Sequence, residues 1–219
     1  KKNIITIEIP VEYQLPNVNQ TPINEKAGVT FASVLRSSLR QDPDVLMVGE
    51  IRDAETAQVA MQAALTGHLV FTTLHANDAV SSIFRLLDLG LEPFMVSSAL
   101  SAVLAQRLVR RLCPACKNPY MPTPQFLQLA EKQGLNIDRF FEPAGCEKCE
   151  NSGYSGRLGV FEFLVLNDKI HSLIQEKPSI TDIQKAAKDS GILYLREDAL
   201  MKAAHGHTSI EQVLSLATK

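Results

Sequence analysis

Two spacings of apolar residues alternate along the chain. Ile4, Ile5 and Ile7, broken by Thr6 and followed by Glu8, predict a short strand. Pro10, Pro16 and Pro22 then predict an irregular, extended loop over residues 10–29. From Thr30, an N-cap residue, Phe31, Val34, Leu35 and Leu39 recur at helical spacing and predict a helix to about Arg40. Gln41-Asp42-Pro43-Asp44 reads as a turn. Val45–Val48 is an unbroken apolar run ending in Gly49-Glu50, the pattern of a strand buried on both faces. Asp53 caps an Ala-rich, buried helix over 54–66, closed by Gly67. Leu69–Leu74 predicts another buried strand, and Asn77 or Asp78 caps a helix ending near Gly90. Val96, Leu100, Val103, Leu104 and Leu108 predict one further helix from about Pro93 to Leu112. Strands alternating with helices of this length point to an α/β unit with a mainly parallel sheet.

The pattern changes at Cys113. Residues 113–157 are rich in Cys, Pro and Gly and weakly periodic. Leu158–Leu166 predicts a strand, and short helices follow at about 168–176, 181–190, 195–205 and 209–217. Thr208-Ser209-Ile210-Glu211-Gln212 offers two overlapping capping boxes for the last helix. Three stretches result: 1–112, 113–157 and 158–219.

Composition narrows the function classes. With 45% hydrophobic and 21% charged residues, the chain has globular proportions. A net charge of −2 argues against a broad electrostatic grip on nucleic acid or anionic lipid. No uncharged apolar run reaches the roughly 18 residues of a membrane span. The N-terminus opens at once on a strand pattern that ends in an acid, unlike a signal peptide, as though cut from a longer chain.

Cys113-Pro114-Ala115-Cys116 and Cys146-Glu147-Lys148-Cys149 use all four cysteines in two Cys-x-x-Cys pairs. Each pair presents two thiolates from one tight turn, and two such turns complete a tetrahedron around Zn²⁺. Neither pair has the strand-to-helix context of a redox Cys-x-x-Cys. Four protein ligands leave no open position, so the expected role is structural.

The second constellation lies at strand ends. Glu50 follows the strand at 45–48 directly, Glu8 ends the first strand, and His75 follows the strand beginning at Leu69. Carboxylates at the C-terminal ends of parallel strands sit where open α/β sheets bind ligands. Two acids and a histidine there suit a metal-bound phosphate ester. The other half of such a site is missing: no Gly of the 11 is followed by Lys, so no phosphate-binding Gly-x-x-x-x-Gly-Lys loop occurs.

These segments together resemble one family, the hexameric ATPases of type II secretion and type IV pilus assembly. Ile7-Glu8-Ile9-Pro10-Val11-Glu12-Tyr13-Gln14 resembles its aspartate box. Leu35–Asp53, containing Arg40-Gln41-Asp42-Pro43-Asp44 and Gly49-Glu50-Ile51-Arg52-Asp53, resembles its Walker B region. Thr66–Asn77 resembles its histidine box, and Gly153–Glu162 follows the tetracysteine pairs as the family pattern does. The resemblance implies a partial RecA-like P-loop ATPase core with a mainly parallel sheet, plus a tetracysteine zinc module and C-terminal helices. It implies that Glu50 polarises the attacking water, with Gly49 and Arg52 lining the nucleotide crevice. Glu8 helps to position Mg²⁺, and His75 contacts the γ-phosphate region of ATP. It also implies a hexamer of identical subunits working with inner-membrane platform or pilus assembly proteins, at the cytoplasmic face of the inner membrane. The tetracysteine module points to the secretion or pilus-extension branch rather than the retraction branch. The family usually has Glu-Asp-Pro where this chain has Glu8-Ile9-Pro10, so a contact attributed to that Asp has no counterpart. Lacking a phosphate loop, these residues alone are not expected to hydrolyse ATP.

Two other readings compete. A zinc ribbon that binds nucleic acid would use the basic cluster Arg107, Arg110, Arg111 and Lys117, but the chain lacks the positive groove and stacking aromatics of such binders. A non-catalytic assembly domain would fit Ile9 and the missing phosphate loop. The basic cluster itself suits an acidic partner, a neighbouring subunit or lipid headgroups, or equally a helix C-terminus whose dipole favours cations. Arg36, Arg40 and Arg52 either serve the crevice or pair with Asp42, Asp44 and Glu55.

Overall fold

The computed structural model describes residues 2–131 and 139–216. Residues 132–138, inside the expected zinc module, and 217, the expected end of the last helix, lie outside the described residues. The elements run β1 (Ile4–Glu8), β2 (Asn19–Pro22), α1 (Phe31–Ser38), β3 (Val45–Val48), α2 (Ala54–Leu65), β4 (Leu69–Thr72), α3 (Ala79–Asp88) and α4 (Pro93–Ala99). They continue as β5 (Ala102–Leu112), β6 (Asn118–Tyr120), α5 (Pro124–Glu131), β7 (Phe140–Glu142), β8 (Tyr154–Val165), α6 (Asp168–Gln175), α7 (Ile180–Asp189), α8 (Leu195–Ala204) and α9 (Ile210–Ser215).

The chain groups into two compact units. One joins Lys1–Val103 with Val165–Ser190, and the other joins Leu104–Leu164 with Gly191–Lys219. In the first, β1–β4 form a parallel sheet in the order β2-β1-β3-β4. Parallel pairing brings the C-terminal ends of β1, β3 and β4 to one edge of that sheet. Ile5, Ile7, Leu46 and Val48 of the sheet are buried, as are Leu35, Ala57, Ala60, Ile83 and Val96 of the helices. The helices start where their caps dictate: Thr30 accepts from Ser33 N–H, Asp53 from Thr56 N–H and Asp78 from Ser81 N–H. In the second unit Val109, Phe140, Val160, Leu200, Ala203, Ile210 and Val213 form the core.

Four sequence expectations are corrected. The helix expected over 93–112 ends at Ala99, and β5 replaces the rest, paired with β8. The apolar spacing there fits a helix, but pairing with a strand far along the chain overrides it. The loop at 10–29 contains β2, whose backbone the edge of β1 captures. The strand beginning at Leu69 is not buried: Leu69 and Phe71 are more than half exposed, because β4 is the edge strand of the described sheet. The capping boxes before α9 do not form. Thr208 Oγ1 donates to Arg110 O at 2.8 Å, and the Ser209 hydroxyl bonds that of Tyr154, also at 2.8 Å.

Candidate functional site

The strand ends carry the first site. Gly49 N–H continues the ladder to Ile7 O at 2.8 Å, and a Cβ on Gly49 would lie 3.0 Å from that oxygen. This close approach favours glycine just before Glu50. Beyond it, Ile51 N–H donates to Thr73 O (3.0 Å), and Thr73 Oγ1 donates to Gly49 O (2.6 Å). These bonds lock the exits of β3 and β4 side by side, so the segments bearing Glu50 and His75 leave the sheet together.

The Glu50 side chain is only 16% exposed, while that of His75 is 90% exposed. Arg52 Nη2 lies 2.6 Å from Glu50 Oε1, and His75 Nε2 lies 3.4 Å from Oε2. Arg52 also reaches Glu25 at 4.0 Å. The Arg52 hydrogen bond outweighs burial and holds the Glu50 carboxyl below its ordinary value, helped by the Arg52 and His75 charges. Glu50 is therefore ionised at neutral pH.

Glu8 ends the neighbouring strand. Its Oε1 accepts from Thr6 Oγ1 at 2.5 Å and from Gln20 Nε2 at 2.9 Å. These two bonds, with the Glu12 backbone, outweigh desolvation and lower its pKa as well. Glu8 and Glu50 thus stand ionised at the ends of adjacent strands, with Arg52 and His75 beside Glu50. The structure brings Glu50, Arg52 and His75 together and leaves Glu8 on the neighbouring strand with Thr6 and Gln20.

The second site is the cysteine cluster. Cys113 lies at the end of β5 and Cys146 at the start of the turn that Cys149 closes. Lys117 N–H bonds Cys113 O (3.1 Å), and Asn151 N–H bonds Cys146 O (2.9 Å), so each pair folds into a tight turn. All four Sγ atoms lie within 4.8 Å of one another. The separations are 4.0 Å for Cys113–Cys146, 3.7 Å for Cys116–Cys149 and 3.8 Å for Cys146–Cys149. A tetrahedron with Zn–S of ~2.3 Å has S···S edges of ~3.8 Å, so the donors fit such a metal. Burial works against the Cys149 thiolate. The N–H groups of Cys146 and Gly153, each 3.2 Å from Sγ, outweigh it and bring that thiol down to about 6. Burial pushes Cys116 up to about 12.

Several of the remaining candidates are engaged within the protein. Arg110 stacks over the Tyr154 ring at 4.0 Å, and Lys117 Nζ donates to Gly206 O at 2.7 Å and lies over the Phe141 ring. Arg110 and Arg111 belong to β5, so the helix-terminus reading of the basic cluster falls away. Arg36 pairs with Glu55 at 2.6 Å, whereas Asp44 takes Lys2. Sequence reasoning missed Thr6 and Gln20. Their signal was the two-residue step from Thr6 to Glu8 on one strand face, but Gln20 lay in a stretch read as loop.

A family model described as type II/IV secretion system protein matches residues 1–215. The chain is 51% identical over 219 residues to the type IV pilus assembly ATPase PilB of Thermus thermophilus, covering 98% of this chain and 24% of that protein. It is 48% identical over 218 residues to the type II secretion system protein E of Pseudomonas aeruginosa, covering 97% of this chain and 42% of that protein. Among solved structures, that of the pilus retraction motor PilT with bound ADP aligns at a TM-score of 0.71 and 28% identity, over 100% of this chain and 53% of that one. The chain therefore spans about a quarter to two-fifths of the length of these two curated relatives. No helix among the described residues is long and apolar enough to cross a membrane.

Proposed function

Because the chain belongs to the type II/IV secretion system protein family, we propose that it supplies the water-activating side of an ATP site in a hexameric motor. Hydrolysis by the intact protein drives type II protein secretion or type IV pilus assembly, at the cytoplasmic face of the inner membrane and against platform proteins there. The observation that carries this reading is the pairing of Glu50, ionised and nearly buried, with Arg52 and His75 at the tips of adjacent parallel strands.

In this reading Glu50 accepts a proton from, and orients, the water that attacks the terminal phosphate. Arg52 keeps Glu50 ionised, and Gly49 lets the Glu50 backbone lie close against β1. His75, largely exposed and tied to Glu50 by one contact, turns toward the γ-phosphate. Glu8 helps to hold the hydrated Mg²⁺ of the nucleotide. When bound, Mg²⁺ neutralises charge on the phosphate oxygens.

Cys113, Cys116, Cys146 and Cys149 hold one structural Zn²⁺. It closes an excursion whose turns carry little apolar core of their own. The nucleic-acid reading gains no support, since Arg110 and Lys117 are spent on internal contacts. No Gly-Lys step exists in these 219 residues, so the chain by itself lacks a phosphate cradle and does not turn over ATP. The test is ATP turnover by the intact protein. Glu50→Gln should lower kcat by about 10²–10⁴-fold. Turnover that survives this substitution would refute the assignment.

A further inference from the structure

Gln20 stands opposite Thr6 in the β1–β2 register, and Thr6 and Glu8 share one face of β1. This puts the Gln20 carboxamide beside the Glu8 carboxylate. Three of its four hydrogen-bonding positions are used. Nε2 donates to Glu8 Oε1 (2.9 Å) and to Tyr13 O (2.9 Å), while its Oε1 accepts from Leu15 N–H (2.7 Å). The amide can face only one way. A flip would set its oxygen against a carboxylate and a carbonyl and leave Leu15 N–H facing an NH₂ group.

The segment it grips is exposed. Tyr13 is 80% exposed and Leu15 53%, and proline at 10 and 16 brackets them. Apart from Gln20, the same segment reaches Glu8 through the Glu12 backbone. A displacement of residues 13–15 therefore pulls on the Gln20 amide, and that amide pulls on Glu8 Oε1, beside the direct Glu12 contact. Thr6 is nearly buried on the inner strand and has no such freedom.

We propose that Gln20 is a positioning residue, which couples the conformation of the exposed 10–16 segment to the orientation of the Glu8 carboxylate. The inference rests on the role given to Glu8 above. Partners that hold metal ligands in place change affinity or activity by about 10–100-fold when removed, and Gln20 falls in that class.

The experiment uses the intact protein with Glu8→Gln, Gln20→Met and Leu15→Pro. Met keeps the length of Gln20 but removes all three bonds. Leu15→Pro deletes the N–H that orients the amide, and also fixes φ at 15 and restricts Gln14, at an exposed residue. Gln20→Met should lower kcat by about 10–100-fold and raise the Mg²⁺ concentration needed for half-maximal rate, with KM for ATP within about twofold of wild type. Hydrogen–deuterium exchange of the 11–18 peptide should accelerate in Gln20→Met without nucleotide present. Leu15→Pro should reproduce the Mg²⁺ shift to a smaller extent, which keeps the test intact if Gln20→Met fails to fold. If Glu8→Gln loses activity while both other variants keep wild-type kcat and Mg²⁺ dependence, the coupling is wrong and the Glu8 role stands. Unchanged exchange in Gln20→Met would also overturn the coupling. If Glu8→Gln is itself fully active, the role of Glu8 falls and the coupling falls with it.

Discussion

Replacing Cys149 with Ser removes one thiolate from the cluster with little change in volume. Cys149 is the informative choice, because it anchors the geometry from several sides. Its Sγ lies 3.7 Å from that of Cys116 and 3.8 Å from that of Cys146, and it accepts two backbone N–H groups. A serine hydroxyl still accepts those N–H bonds, so the turn keeps its polar partners and only the metal ligand is lost. Structural zinc sites are worth about 10–16 kcal/mol at neutral pH. Shared over four ligands, that is about 2.5–4 kcal/mol each, or roughly 10²- to 10³-fold in affinity at about 1.4 kcal/mol per decade. Zinc content after purification, followed by competition against a chromogenic chelator, reads this directly. Wild type should carry one zinc per chain. Cys149→Ser should lose it to the chelator at concentrations about 10²–10³-fold lower. Equal zinc content and equal competition curves would refute the tetrathiolate assignment.

Two further predictions follow from local geometry. Gly153 has φ +72°, and a Cβ there would fall 2.3 Å from Pro143 Cβ, so Gly153→Ala must shift the backbone whose N–H bonds Cys149. It should destabilise by about 1–3 kcal/mol and weaken zinc retention; a thermal melt and zinc content equal to wild type would contradict this. Glu8 has its pKa held below its ordinary 4.5 by Thr6, then by Gln20. The stability this gives is fully present above that value and is lost as pH falls through the lower folded pKa. Below about pH 4.5, the melting temperature of Glu8→Gln should therefore drop less steeply than that of wild type, and parallel curves would refute the bonding.

What the sequence made legible was local. The caps Thr30, Asp53 and Asp78, the apolar runs of β1 and β3, and the strand-end positions of Glu8 and Glu50 all follow from neighbouring residues. The α/β class with a parallel sheet follows from their alternation, and the likeness to secretion and pilus ATPases accords with it. What stayed hidden was non-local. Whether Val103–Leu112 coils or extends is decided by β8, some fifty residues on, and not by its own spacing. The exposure of Phe71 depends on which strand lies at the edge, and strand order is not written in periodicity. The cysteine cluster was readable because its chemistry fixes the spacing. Gln20 was not, because a glutamine in a Pro-flanked stretch carries no pattern until β2 pairs with β1.

The central claim is that Glu50 acts on the attacking water and not on nucleotide binding. The most direct measurement is therefore nucleotide retention by Glu50→Gln in the intact protein. After incubation with Mg²⁺ and radiolabelled ATP, then rapid gel filtration, the variant should retain unhydrolysed ATP while its turnover is lost. ATP hydrolysed at the wild-type rate by Glu50→Gln, or nucleotide binding lost along with activity, would contradict the account.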